Sequence, residues 1–516
     1  MADTGAGQPE TVLRLAGITK RFGALTANDA ISLELRRGEI VGLLGENGAG
    51  KTTLMNILFG HYVADAGTIE VGGKVLPAGA PSAAIAAGIG MVHQHFTLAD
   101  NLTVLDNIML GTESLWRLRS DRPSARRRVG ELSGTFGLAV DSGATVASLS
   151  VGERQRVEIL KALYRRASIL ILDEPTAVLT PQETASLFDT LQRFVANGLS
   201  IIFISHKLNE ILAVCHRVAV LRAGRMVADR SVESVTRSEL AELMVGRAIA
   251  PAKSTPQDPG EPVLRLDAIV ARREPLALDG ISLVLRAGEI SGIAGVSGNG
   301  QSLLADVIGG THHPNSGRLT VRQETLNVVS PGIMIAHGMA RIPEDRHAEG
   351  LIGDMTVAEN AISESYRTPD FLRFGLIDLA GAKVFAERII ADYQIKCPSP
   401  EVRARLLSGG NMQKLILGRV MARAPAMVLA NQPTRGLDVG AVNYVHEQLL
   451  AARRRGAAIL LISEDLDELL SLSDRIAVMY RGRLSSFEPR AAVSTTSLGL
   501  MMAGHGMDGG RVRDAA

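Results

Sequence analysis

Gly45-Glu46-Asn47-Gly48-Ala49-Gly50-Lys51-Thr52 is the stretch whose reading decides the fold. It fits the spacing G-x-x-x-x-G-K-[ST]. An apolar run, Ile40–Leu44, precedes it, and Thr52–Phe59 has the makings of a helix. Strand, glycine turn and helix in that order aim backbone N–H groups at one point, and the helix start adds partial positive charge there. Such a turn cradles phosphate oxygens. Lys51 would reach the β- and γ-phosphates of a nucleotide, and the Thr52 hydroxyl would ligate Mg²⁺.

A second apolar run, Ile169-Leu170-Ile171-Leu172, ends in Asp173-Glu174-Pro175. A buried strand needs a reason to end in adjacent acids. Asp173 would hold Mg²⁺, directly or through water, and Glu174 would act as general base on an attacking water. A solvated strand end is the plainer alternative. This run and Ile201–Ile204 are short and end in polar residues, so they read as buried parallel strands. Strands alternating with helices predict an α/β fold with a largely parallel sheet, with ligands at the carboxyl ends of its strands.

The chain also repeats itself. Gly38-Glu39-Ile40 returns 250 positions later as Gly288-Glu289-Ile290, and Gly45 as Gly295. Leu149-Ser150, Ile204-Ser205 and Gly224-Arg225 return 258 positions later as Leu407-Ser408, Ile462-Ser463 and Gly482-Arg483. Two copies of one domain, differing by a small insertion, explain both offsets. The organisation expected is a flexible start over 1–10, a first domain over 11–249, a Pro-rich extended linker over 250–262, a second domain over 263–504 and a flexible end over 505–516. Leu149-Ser150-Val151-Gly152-Glu153 and Leu407-Ser408-Gly409-Gly410-Asn411 each open a helix with a serine cap and glycines, a second kind of anion site. Each serine stands 23 residues before the end of an apolar strand, at Asp173 or Asn431.

Taken together, these motifs resemble the nucleotide-binding domain of the ABC transporter family, a P-loop NTPase with a helical subdomain, over nearly the whole chain. The resemblance implies a Walker A loop at Gly45–Thr52, a Q-loop glutamine at Gln94, a signature at Leu149–Glu153, a Walker B strand at Ile169–Glu174 and a switch histidine at His206. It implies catalysis by Glu174, His206 and Lys51, and Mg²⁺ held by Thr52, Asp173 and Gln94. ATP contacts would come from Phe22, Gly45, Glu46, Asn47, Gly48, Ala49, Gly50, Lys51, Thr52, Thr53 and Gln94, with Ser408, Gly409, Gly410 and Asn411 from the second half. Phe22 would stack on adenine, with an ordinary core phenylalanine as the alternative.

The second half is chemically thinner. Its loop, Gly295-Val296-Ser297-Gly298-Asn299-Gly300-Gln301-Ser302, keeps the glycines and a hydroxyl but has Gln301 for the lysine. Asn431-Gln432 replaces Asp173-Glu174, Glu464 replaces His206, and Glu344 replaces Gln94. In this family each ATP lies between the Walker A of one domain and the signature of the other. That sorts the lesions: a competent site from the first half with Ser408–Gly410, and a degenerate one from Gly295, Gly298, Gly300, Gln301, Ser302, Asn431, Gln432 and Glu464 with Ser150 and Gly152. Asp438 would face the competent site and Thr180 the degenerate one. ATP would close the halves, and the linker would keep them at high effective concentration.

Pro343-Glu344-Asp345-Arg346, Ser408–Lys414 and Gln432–Gly440 resemble the ATP-binding subunits of bacterial importers for simple sugars and nucleosides, and Met91–Phe96 and Gln301 lean toward the nucleoside branch. Such a subunit implies two integral membrane permease subunits, an extracytoplasmic binding protein reached indirectly, no direct contact with the transported substrate, and a peripheral place on the cytoplasmic face of the membrane. A soluble tandem ABC protein acting on ribosomes is the alternative, which usually has a long charged linker and two intact sites.

Composition agrees with packed domains: of 516 residues 46% are hydrophobic and 21% charged. A net charge of +1 gives no global basic surface for nucleic acid. Cys215 and Cys397 lack metal-ligand spacing and read as free thiols, and no metal role is expected for His93 and His95. No apolar run is long enough to span a membrane. The basic run Arg126-Arg127-Arg128 reads as a solvated face.

Overall fold

The computed structural model describes residues 10–506 apart from 24, 94–95, 114–119, 177–178, 180, 248–251, 253 and 256. The chain divides into two units, residues 1–249 and 250–516. In the first, the described strands are β1 (Thr11–Phe22), β2 (Leu25–Arg36), β3 (Ile40–Gly45), β4 (Ala66–Val71), β5 (Lys74–Val75), β6 (Ile89–Val92), β7 (Ile169–Asp173), β8 (Ser200–Ile204), β9 (Arg217–Arg222) and β10 (Arg225–Ser231).

Two sheets result, not one. The runs with no polar face pair in parallel: β3 and β8 are buried throughout, and β6, β7, β8, β3 and β9 lie in that order, with β10 antiparallel at the edge. Strands covered on both faces have no solvent side to signal. The amino-terminal strands instead alternate, with Leu13 and Leu15 buried and Arg14 and Ala16 exposed, as one buried face requires. They form a separate antiparallel sheet, β2-β1-β4-β5, with Leu13 opposite Leu35 and Ile18 opposite Ile31. A parallel sheet alone is thus only part of the architecture. Helix Lys51–Phe59 lies between, burying Leu54, Met55, Ile57 and Leu58 in a core shared with both sheets.

The second unit repeats the plan with β11 (Pro262–Arg273), β12 (Leu276–Arg286), β13 (Ile290–Ala294), β14 (Ser316–Val321), β15 (Glu324–Thr325), β16 (Met339–Ile342), a hairpin of β17 (Leu372–Arg373) and β18 (Leu376–Ile377), then β19 (Met427–Asn431), β20 (Ala458–Ser463), β21 (Arg475–Tyr480), β22 (Arg483–Leu484) and β23 (Glu488–Pro489). The sheets are β12-β11-β14-β15 and β16-β19-β20-β13-β21-β22, with β23 on β21. The helical middles contain Val104–Met109, Arg122–Phe136 and Val151–Tyr164 in the first unit, and Val357–Ile362, Leu379–Asp392 and Gly409–Met421 in the second. In the basic run, Arg126 and Arg127 are exposed, whereas Arg128 lies over the Tyr164 ring at 5.1 Å.

The described part of the Pro-rich segment runs along the second unit. Ala252 N–H donates to Asn443 Oδ1 at 3.1 Å, and Ser254 N–H to the Ser471 carbonyl at 3.1 Å. Arg453, 1% exposed, ties this segment down by donating to the carbonyls of Thr255 (2.8 Å) and Gly288 (3.1 Å) and to Asp474 (2.7 Å). A buried guanidinium is tolerated only with its donors met. Arg453→Leu is expected to destabilise the second unit by about 3 kcal/mol. Calorimetry should show its transition moving down while that of the first unit stays put.

Candidate active site

The two glycine turns sit where the parallel sheets end. β3 runs into Gly45, and Gly50 caps the following helix with φ 101°. That angle suits glycine, and the space does too: a Cβ on Gly50 would lie 2.4 Å from the Ala27 carbonyl and 2.5 Å from Asn28 Nδ2. Asn28, fully buried, donates to the Gly50 carbonyl at 3.1 Å and holds the turn against the antiparallel sheet. Lys51 is 9% exposed and donates to the carbonyls of Gly45 (2.7 Å) and Glu46 (3.1 Å), so its ammonium is folded over the loop. Asn47, Gly48 and Thr52 are exposed and Glu46 and Thr53 partly so, while Ala49 is buried.

Asp173 ends β7 and Glu174 follows it. Burial pushes the Asp173 carboxyl up to about 6, with Glu174 adding to this and Lys51 opposing it. Burial acts on Glu174 too, but the hydrogen bond and charge of His206 outweigh it and hold Glu174 below the usual range. His206 Nδ1 lies 2.9 Å from Glu174 Oε1. An ionised carboxylate only accepts, so Nδ1 carries the proton of that bond. Glu174 has φ 49°, a left-handed conformation that sets its side chain off the strand line, and its N–H donates to the Ile204 carbonyl at 2.9 Å. Behind it, buried Glu210 accepts from Thr176 Oγ1 (2.6 Å) and Ser205 Oγ (2.8 Å), fixing the segments that carry Glu174 and His206. Glu210 has no motif to mark it in the sequence. The oxygens of Thr52 and Asp173 are hard donors of the kind Mg²⁺ takes. Among the described residues, no cluster of three or more His, Cys, Asp or Glu could hold a metal by itself. Gln94, His95 and Thr180 lie outside the described residues. His93 is near His61, and burial pushes its imidazole down.

Phe22 is 44% exposed at the end of β1, edge-on to Tyr62 at 5.6 Å, with Lys20 above its ring at 5.5 Å. It is therefore not a core phenylalanine.

Residues 28–177 and 278–435 each match the family described as ABC transporter. The chain belongs to the ABC transporter family. It is an ATPase of that family. The nucleoside import ATP-binding protein NupA of Lactococcus lactis is 43% identical, covering 96% of this chain and 98% of its own. The glucose import ATP-binding protein TsgD13 of Haloferax volcanii is 44% identical, covering 96% of each chain. Among solved structures, an archaeal ribosome recycling factor in complex with a ribosomal stalk protein matches with a TM-score of 0.61 at 17% identity, covering 90% of this chain and 87% of its own, a likeness of fold alone.

The ABC signature helices differ in a way their sequences only partly announce. Ser150 forms a capping box: its hydroxyl accepts from the Glu153 N–H (3.3 Å), and the Glu153 carboxylate takes the Ser150 N–H (2.8 Å). Glu183 lies close enough that a Cβ on Gly152 would be 2.7 Å from its Oε1. Two acids thus occupy that helix start. Ser408 also starts a helix, but its side chain does not cap the backbone, against expectation; its hydroxyl accepts from Asn411 Nδ2 at 2.9 Å. The physical reason is the residue three on: Asn411 offers an amide to the hydroxyl, where Glu153 offers a carboxylate to the backbone. Arg346 lies beside Gly409 instead, with its Nη2 donating to the Arg435 carbonyl at 2.9 Å. Asp438 caps the Val439–Arg454 helix through the Ala441 N–H at 2.8 Å.

In the second half the frame survives with different side chains. Gly300 caps its helix with φ 111°, and Gln432 keeps the left-handed φ of 49° seen at Glu174. Gln301, 7% exposed, donates to the Val296 carbonyl at 3.0 Å. Gln432 Oε1 accepts from the Glu464 N–H at 3.3 Å. Glu344 pairs with Arg435, and burial raises its carboxyl although Arg435 opposes this.

Two outcomes are expected. Gly50→Ala should abolish ATP binding, because its Cβ meets backbone, whereas Gly48→Ala, in open space at φ 82°, should cost only about 1 kcal/mol of backbone strain. Nucleotide titration and thermal melts of both variants check this. Burial raises the Cys215 thiol far above its ordinary value, so alkylation should spare Cys215 in the native protein and reach it only on unfolding.

Proposed function

We propose that this chain is the peripheral, ATP-hydrolysing subunit of a membrane importer for nucleosides or related simple sugars, working with one hydrolytic phosphate loop. The observation that carries the catalytic part is the Glu174–His206 hydrogen bond beside Asp173 and Lys51, where the second half has Gln432 and Glu464. Glu174 takes the proton of the attacking water. His206 holds the Glu174 carboxylate. Lys51 would offset the terminal phosphate, and Thr52 and Asp173 would hold Mg²⁺, which would supply charge neutralisation of the phosphates. Phe22 and Tyr62 offer an aromatic edge and face to a base. Ser408–Gly410, uncapped by its serine and neighboured by Arg346, is the better anion acceptor of the two signature helices.

Import is supported by relatives of nearly equal length whose names describe import ATP-binding proteins. The nucleoside branch rests on the sequence features around Gln94 and Gln301, since a glucose importer subunit is as similar as the nucleoside ones. Among the described residues no helix is long and apolar enough to cross a membrane; in this reading the permease subunits are separate chains. A groove of about 560 Å³ lined by Glu113, Arg128, Tyr164 and Arg165 adjoins one lined by His93, Thr97 and Glu158. These polar grooves, the second of which includes His93, suit a helix end of a permease subunit.

Glu174→Gln should reduce turnover by about 10²–10⁴-fold while ATP binding persists, and Gln432→Ala should leave hydrolysis largely intact. Equal loss in both variants would refute a single hydrolytic site. Reconstitution with permease subunits and binding protein should give ATPase stimulation by nucleosides; stimulation by sugars with none by nucleosides would move the assignment to the sugar branch.

A further inference from the structure

The second glycine turn keeps the backbone angles of the first at two of its glycines. Gly298 and Gly300 have φ of 89° and 111°, against 82° and 101° at Gly48 and Gly50. Amides turned in this way still suit a phosphate group. At the end of β19, Asn431 is 3% exposed and its Oδ1 has no hydrogen-bond partner among the described residues. A buried acceptor left open costs free energy unless a bound group or its water meets it.

Two of the changes fall on groups that a terminal phosphate would meet. The ammonium of Lys51 is replaced by the neutral Gln301 amide, folded back on the Val296 carbonyl. Glu464 stands at the end of β20, and its carboxylate accepts a hydrogen bond from Ser297 Oγ within the loop. Among the described residues, no cation is paired with it. Gln432 is uncharged and accepts from the Glu464 backbone N–H. Glu344 is a second acid near enough to interact with Glu464, and it takes the charge of Arg435 in its own ion pair. Asn299 braces the loop further: its Nδ2 donates to the Val296 carbonyl (3.0 Å) and its Oδ1 accepts from the Arg481 N–H (2.9 Å). The loop therefore presents amides to one or two phosphates and a carboxylate to the next.

We infer that Glu464 makes the second phosphate loop selective for a nucleoside diphosphate over a triphosphate. This rests on the reading that the glycine turns hold nucleotide phosphates. A γ-phosphate reaching Ser297 meets a like charge with no lysine to offset it. At a separation of about 5 Å that repulsion weakens binding by roughly tenfold or more.

Equilibrium dialysis of the full chain with Mg²⁺ and either ADP or the slowly hydrolysed ATPγS tests it. The wild type should bind two equivalents of ADP and, at concentrations that fill the first loop, one of ATPγS. Glu464→Gln, which keeps an acceptor for Ser297, should gain the second ATPγS equivalent, with affinity raised at least tenfold and ADP unchanged. Lys51→Ala identifies the loops: it should remove the ATPγS equivalent of the wild type and leave one of ADP. Two tight ATPγS equivalents in the wild type, a single ADP equivalent, or no gain in Glu464→Gln would each overturn the inference. If Lys51→Ala left all binding unchanged, the reading of the first loop as a nucleotide site would fail instead.

Discussion

Everything in each unit depends on one backbone constraint: several N–H groups must face a single point at the end of a buried strand. An L-residue with a side chain resists the angles this needs, and at Gly50 the space is also closed by the Ala27 carbonyl and Asn28. The antiparallel sheet supplies those closing groups, so the turn is clamped between two sheets and a helix. The fixed amides then cost no reorganisation when charge arrives, which is what makes them useful in catalysis.

Around that fixed point the two halves have diverged by side chain while holding the same path. Glu174 and Gln432 share a φ of 49°, and their N–H groups donate to equivalent carbonyls, of Ile204 and Ile462. A strained conformation retained in both halves keeps the geometry of the turn although only one half has an acid there. Charge has moved correspondingly. Acids cover the Ser150 helix start, whereas an arginine flanks the Ser408 one, and a carboxylate replaces the histidine that faces Glu174 in the first half.

Much of the site was readable in the sequence because its signals are local. The loop needs glycines and a lysine at fixed spacing, and Asp173-Glu174 announces itself by ending an apolar run. Glu210 was not readable: a lone acid 34 residues from Thr176 gains meaning only when the fold places both hydroxyls on it. The uncapped state of Ser408 also escaped, since a serine before a helix reads as a cap until the amide of Asn411 is seen to hold its hydroxyl. The largely parallel sheet was legible, but which strands form the separate antiparallel sheet was not, since an alternating strand does not tell which sheet it joins until β1 pairs with β2 and β4.

The sequence by itself determined the repeat, the α/β class, the glycine turns and the difference in side chains between the two halves. Each follows from residue type and spacing, which fix backbone angles and charge without reference to distant segments. Only tertiary structure decided which charges meet. Asp173 rises because burial strips its water, Glu174 falls because His206 arrives from another strand, and Glu464 acquires its consequence because Ser297, 167 residues away, is brought under it. Electrostatic interaction depends on separation and surroundings, and these exist only once the sheets have assembled.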